Sequence, residues 1–180
     1  HEKTSKDLML LMKNPQTWLL GIYGMLMYAP ITIMGVGWGV PFVENACQTS
    51  EASAGGVITT MFLGAAFGGP VFTIFSDVVN NRRLPMLFGS ATCAILYFVI
   101  FLVPNIPLML MYVLFFTVGF LYTAKVLTFA AICEIMPLKM SGLAVAFINA
   151  LVMASGILFH PLIGFLIGWH NQQNITKNSY

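Results

Sequence analysis

Tyr122, Lys125 and Thr128 recur at i, i+3 spacing, which puts a phenol, an ammonium and a hydroxyl on one face of a helix. The ammonium is the informative group. It lies inside Pro107–Ile135, a stretch that is otherwise apolar and long enough to cross a bilayer. A lysine at mid-membrane costs about 2.5–3.5 kcal/mol on insertion scales, so it is normally aimed at a partner, a cavity or a polar path. At 1.5 Å per residue, Lys125 lies roughly 15 Å before the helix end near Ile135, about half the hydrocarbon thickness. Snorkelling does not easily carry an ammonium that far. No acidic residue lies inside the apolar stretches of this chain. The counter-charge expected for Lys125 is therefore a carboxylate from elsewhere or an anionic group on a ligand. The structural alternative is a lysine bonded to backbone carbonyls.

A second polar face runs along the last apolar stretch, where Asn149, Met153, Gly156 and His160 follow at i, i+4, i+7 and i+11. Asn149 suits either a ligand contact or a hydrogen bond between two helices. His160, just before Pro161, has the chemistry to take up a proton at mildly acidic pH, or simply to bond a neighbouring carbonyl. The first apolar stretch carries Tyr23, Tyr28, Pro30 and then Gly35-Val36-Gly37-Trp38-Gly39-Val40-Pro41. Glycine and proline there weaken the helix, which suits a flexible gate with Trp38 as its plug. An interfacial tryptophan over close helix packing is the plainer reading. Tyr23 and Tyr28 are candidates for ligand contact or for packing. Gly64, Gly68, Gly69 and Pro70 fit close helix contact, Gly64 and Gly68 at the Gly-x-x-x-Gly spacing.

Other chemistries find little support. Ser155 and His160 resemble a nucleophile and base, yet five residues along one helix set them about 140° apart. His1, His160 and His170 show no metal-ligand spacing, and Cys93 and Cys133 are isolated. Cys47 has no disulfide partner in the same loop. No Gly-rich phosphate loop is present. The expectation is a protein that is not an enzyme and holds neither cofactor nor metal.

The elements that must position these residues are legible from charge. Only 8% of residues are charged, against about 25% in a soluble domain, so water does not surround most of this chain. Asp, Glu, Lys and Arg are absent from Asn14–Val43, Ala52–Ser76, Leu84–Ala124 and Met140–Thr176. Pro104-Asn105-Ile106-Pro107 splits the third stretch. Five spanning helices are expected, at 16–40, 53–76, 84–103, 107–134 and 140–168, too long and too uniformly apolar for barrel strands. Residues 1–15 then form a tail, and 170–180 a polar segment with an Asn174-Ile175-Thr176 sequon. With the N-terminus in the cytoplasm, Lys3, Lys6, Lys13, Arg82, Arg83 and Lys139 fall inside and only Lys177 outside, which agrees with the positive-inside bias. Glu44–Glu51 is expected as an outer loop. The start at His1 and the odd number of spans suggest a piece of a longer protein.

Ser76-Asp77-Val78-Val79-Asn80-Asn81-Arg82-Arg83 resembles the inner-loop signature of the major facilitator superfamily, in which Gly, three residues, Asp, a basic residue, one more, then Gly and basic residues follow in order. Here Thr73 stands for the first Gly, Val78 for the first basic residue and Asn80 or Asn81 for the second Gly. Ala130-Ala131-Ile132-Cys133-Glu134-Ile135-Met136-Pro137 and the run from Ser141-Gly142-Leu143-Ala144 to Asn149 resemble the end of the family's tenth helix and its eleventh. Leu158-Phe159-His160-Pro161-Leu162-Ile163-Gly164 is similar to nutrient importers of the bacterial phagosomal-transporter type. The resemblance implies an all-α membrane protein, a polytopic helical bundle holding helices seven to eleven of a twelve-helix fold, in a bacterial inner membrane. Its partners would be a small-molecule substrate, membrane lipid, the N-terminal half-bundle and, in a coupled mechanism, protons.

By the same resemblance, spans one and four line a central cavity. Lys125, Tyr122, Thr128, Tyr23, Tyr28 and Asn149 would then bind substrate, with His160 as a protonation site. Asp77, Arg82, Arg83 and Glu134 would form a cytoplasmic charge cluster that breaks as the carrier opens inward. The implied function is secondary active transport of a small, polar, carboxylate-bearing metabolite by alternating access. The alternative is a receptor or scaffold of the same fold that moves no solute.

Overall fold

In the computed structural model the backbone is described for residues 2–177 and the side chains for residues 7–169. Among the described residues the secondary structure is entirely helical. A short helix, α1 (Glu2–Lys13), precedes α2 (Pro15–Pro30), an eight-residue π-helical segment (Ile31–Trp38) and α3 (Gly39–Cys47). Then follow α4 (Glu51–Val79), α5 (Arg83–Leu102), α6 (Leu108–Tyr122), a 3₁₀ turn (Thr123–Val126), α7 (Leu127–Ile135) and α8 (Ser141–Lys177). Five units are long and apolar enough to cross a membrane: Pro15–Cys47, Glu51–Val79, Arg83–Leu102, Leu108–Ile135 and Leu138–Trp169. They correspond in order to the five expected spans.

Two boundaries differ from expectation, and in both the helix runs on. The first span continues through Cys47, so that Glu44–Cys47 are helical rather than loop. Only Gln48, in the left-handed region at φ 48°, and the Ser50 cap of α4 turn the chain. A charge at position 44 marks the edge of the hydrocarbon, but a helix stops only where its backbone is broken or capped. For the same reason α8 passes Trp169 to Lys177, because no proline or glycine follows Gly168 before that point. Positions 178–180 lie outside the described residues. The tail expected at 1–15 is mostly α1, which ends at Lys13; Asn14, in extended conformation, turns the chain and caps α2 through Oδ1 to Gln16 N at 2.9 Å.

Without water in the hydrocarbon there is little hydrophobic force between spans, so close packing of small residues must hold them together. Two parallel crossings do this. Spans two and four touch backbone to backbone: a Cβ at Gly64 would collide with Phe116 O, one at Gly68 with Phe120 O, and one at Gly119 with Met61 O. Gly69 does not share in this contact; it faces open space, a correction to its expected packing role. Adjacent residues point about 100° apart on a helix, so Gly68 and Gly69 cannot serve one seam. Spans one and five cross in the same sense, with Leu151 and Val152 seated over Gly21 and Gly24. Span three packs against span four where Gly89 meets Ala124. Its outer surface (Leu87, Phe88, Ile95, Phe98) stays exposed, as lipid contact requires.

Candidate functional site

The two main irregularities of the bundle frame the site. In span one, Pro30 cannot donate to the carbonyl four residues back, and its ring crowds that turn. The chain then runs as a π-helix from Ile31 to Trp38. Thr32 Oγ1 donates to Ala29 O at 2.9 Å at the start of this segment. At the far end of the segment, Gly39 lacks the Cβ that would strike Met34 O and Ile58 Cδ1, so the wide turn closes without a clash. In span four, α6 gives way to the 3₁₀ turn Thr123–Val126, where Thr123 Oγ1 donates to Phe120 O at 2.6 Å. Single stretches of π and 3₁₀ geometry inside long helices often mark functional sites or hinges.

Lys125 sits in that 3₁₀ turn. Its Nζ lies 3.7 Å from the centroid of the Tyr28 ring, two residues before Pro30, and 5.4 Å from the centroid of Tyr122. The two rings are themselves 6.4 Å apart at 41°. The negative faces of two phenol rings therefore hold the ammonium, a contact worth about 0.5–1 kcal/mol when exposed and about 2 when desolvated. Among the described residues both ion pairs belong to Arg82, and neither involves Lys125. Lys125 is half-buried. Its charge is thus steadied by aromatic faces without being cancelled, which leaves it competent to bind an anion.

The other expected members of this site are placed differently. Thr128 is fully buried, donates its hydroxyl to Lys125 O at 2.7 Å and packs toward Gly24. It shapes the turn under Lys125 and leaves no free donor. Tyr23 does not join Tyr28; its hydroxyl donates to Met86 O of span three at 2.9 Å. Five residues on one helix separate the two phenols by about 140°, so one faces Lys125 and the other faces away. Asn149 is exposed on α8, and its side chain makes no hydrogen bond among the described residues. His160 lies over Gly37, where a Cβ would come within 2.7 Å of its Cε1. Trp38 packs one turn further along against Gly164. The bare backbone of the π-helix thus receives a side chain from span five. Ser155 is fully buried and therefore offers no accessible nucleophile.

A charged cluster with Arg82 as its hub lies at one end of the bundle. Its Nη1 reaches Asp77 Oδ1 at 2.5 Å and Ser76 Oγ at 3.0 Å, and its Nε reaches Glu134 Oε1 at 2.9 Å. The hydrogen bond that Arg82 donates to Asp77, then the one it donates to Glu134, raise its pKa above an already high ordinary value. Arg82 therefore ties the loop after span two to the end of span four. Arg83 is exposed and forms no ion pair among the described residues, so it stands outside this cluster. Arg82, Arg83, Glu134, Tyr23, Leu19 and Met86 are among the residues lining a cavity of about 770 Å³ at this end. Sequence reading missed that cavity because its walls come from three spans. Residues 17–173 match the Major Facilitator Superfamily, and no curated protein or solved structure matches the chain.

Proposed function

Because the chain belongs to the Major Facilitator Superfamily, a family of membrane transporters, we propose that it supplies the substrate anchor of a secondary carrier. In this reading the five spans are helices seven to eleven, and the N-terminal half-bundle completes the cavity. The cargo is a small polar metabolite bearing a carboxylate, with an amino acid or organic acid as the expected class. It is taken up across a bacterial inner membrane by a nutrient importer similar to the phagosomal type. The Arg82 end is cytoplasmic, in line with the positive-inside bias. The observation that carries the proposal is Lys125 Nζ held 3.7 Å from Tyr28 at the point where spans one and four both leave α geometry. Discontinuous helices are where transporters of this general design place their substrates.

Alternating access follows from these parts. A carboxylate drawn to Lys125 binds beside the two irregular segments, which bend more readily than the α-helix around them. The Arg82–Asp77–Glu134 cluster holds the cytoplasmic end closed and breaks as that end opens. His160, on span five against the π-helix, is positioned to couple protonation to movement of span one.

The test is a thermal-shift screen of the complete carrier, both half-bundles together, against carboxylates and their matched amides, since a ligand that binds only the folded state raises apparent stability. A carboxylate is expected to stabilise the protein and its amide is not. Equal response to both would sink the anionic-substrate reading; binding without uptake into vesicles would leave a receptor.

Tyr28 supplies a finer check. Tyr28→Phe keeps the ring face and is expected to bind the same carboxylate as wild type. Tyr28→Leu removes it, at a cost of about 0.5–2 kcal/mol, or roughly 2- to 30-fold in affinity by calorimetric titration. Weakening by the phenylalanine variant equal to that by leucine would show that the hydroxyl, and not the ring face, matters.

A further inference from the structure

The short helix before span one carries an apolar arc that its own bundle does not cover. At about 100° per residue, Leu11, Leu8, Met12 and Met9 fall within about 160° of the α1 circumference, an arc that register shares with the hydroxyl residues Thr4 and Ser5. Register places Asp7, Lys3, Lys6, Lys13 and Glu2 on the opposite side, three cations against two anions. Leu10 is the single apolar residue within that polar arc. Leu11, at one edge of the apolar arc, is completely buried in a cluster with Ile132, Met136, Met140 and Ala144, at the adjoining ends of spans four and five. The rest of the arc is open: Leu8 is 37% exposed, Met12 48% and Met9 56%.

The position of α1 is fixed, and it is fixed at a membrane boundary. A single residue, Asn14, separates it from span one. Trp18, in the first turn of that span, donates from Nε1 to Met12 O at 2.8 Å and stands edge-on to Phe147 of span five at 5.6 Å. Trp18 and Ile22, one turn apart, are themselves exposed and carry the apolar surface onto the span, whereas Leu19 faces the cavity. A helix anchored so close to the hydrocarbon edge, with a wide apolar arc on one side and a net positive face on the other, has the pattern of an interfacial amphipathic helix.

We propose that α1 lies in the cytoplasmic headgroup region of the bilayer, with Leu8, Met9 and Met12 inserted among the acyl chains and the lysine face toward water and anionic headgroups. The occupant of the arc is lipid. The charge argues for this choice, since the excess of lysine suits a leaflet with a negative surface. The surface of α1 is also continuous with the exposed apolar side of span one.

The test places a fluorescent amino acid in turn at Leu8, Met9, Met12 and Lys6 of the full chain in phosphatidylcholine–phosphatidylglycerol vesicles. Brominated acyl chains and aqueous iodide serve as the two quenchers. The probes at positions 8, 9 and 12 are expected to lose most of their emission to brominated lipid and little to iodide. At position 6 the order reverses. Iodide quenching at 9 and 12 would show the arc facing water, and quenching by neither would show it covered by protein; each overturns the proposal. The readout needs no substrate, so failure of the transport reading and failure of this one are distinguishable.

Discussion

Replacing Lys125 with glutamine is expected to weaken binding of a carboxylate substrate at least roughly 30-fold, because removing one partner of a desolvated charge pair costs about 2–5 kcal/mol. The loss should be specific to charge. Glutamine is one atom shorter and keeps a hydrogen-bond donor, but gives the Tyr28 ring no cation to hold. An amide analogue, which never paired with the ammonium, should bind wild type and variant alike. Folding should survive and improve if anything, because an ammonium at this depth is costly to insert. Calorimetric titration of both ligands against both proteins decides it: unchanged carboxylate affinity in Lys125→Gln would mark the lysine as structural. Melting of the variant below wild type would point the same way.

Gly119→Val is expected to damage the fold itself. A side chain there would be driven into Met61 O of span two, and backbone has no rotamer to yield. Overpacking in a well-filled core costs about 1–3 kcal/mol and occasionally more. Here the upper end applies, because spans two and four must separate along the seam that Gly64 and Gly68 also share. Gly69→Ala is the contrasting case. Its Cβ meets open space, and alanine should add about 0.5–1 kcal/mol by restricting the unfolded chain. Melting curves of the purified full chain compare the two. Equal stability of Gly119→Val and wild type would contradict the seam.

The five spans were legible because the code for them is coarse: long runs free of charge leave few alternatives in a bilayer. Lys125 was legible for the same reason, as an expensive exception. What surrounds it was not. Tyr28 comes from a span roughly a hundred residues earlier, and no local periodicity records that meeting. Tyr23 could have been separated from Tyr28 by helix geometry alone, since five residues turn the side chain away. Gly119 carried no signal because its partner lies on another span; Gly64 and Gly68 were visible only because both fall on one helix. The end of span one was misplaced because Glu44 reports polarity, whereas termination depends on the turn at Gln48.

The pairing of span one with span five also sets a waiting time. Gly21 and Leu151 are about 130 residues apart, and a ribosome adding about 5–20 residues per second needs roughly 7–26 s to make the intervening chain. Throughout that interval the glycine seam of span one lies bare in the bilayer, already interrupted by Pro30, while spans two and four complete their own seam ahead of it. Assembly of this bundle is therefore ordered by synthesis: the Gly64–Gly119 pair closes first, and the face that carries Tyr28 is locked last.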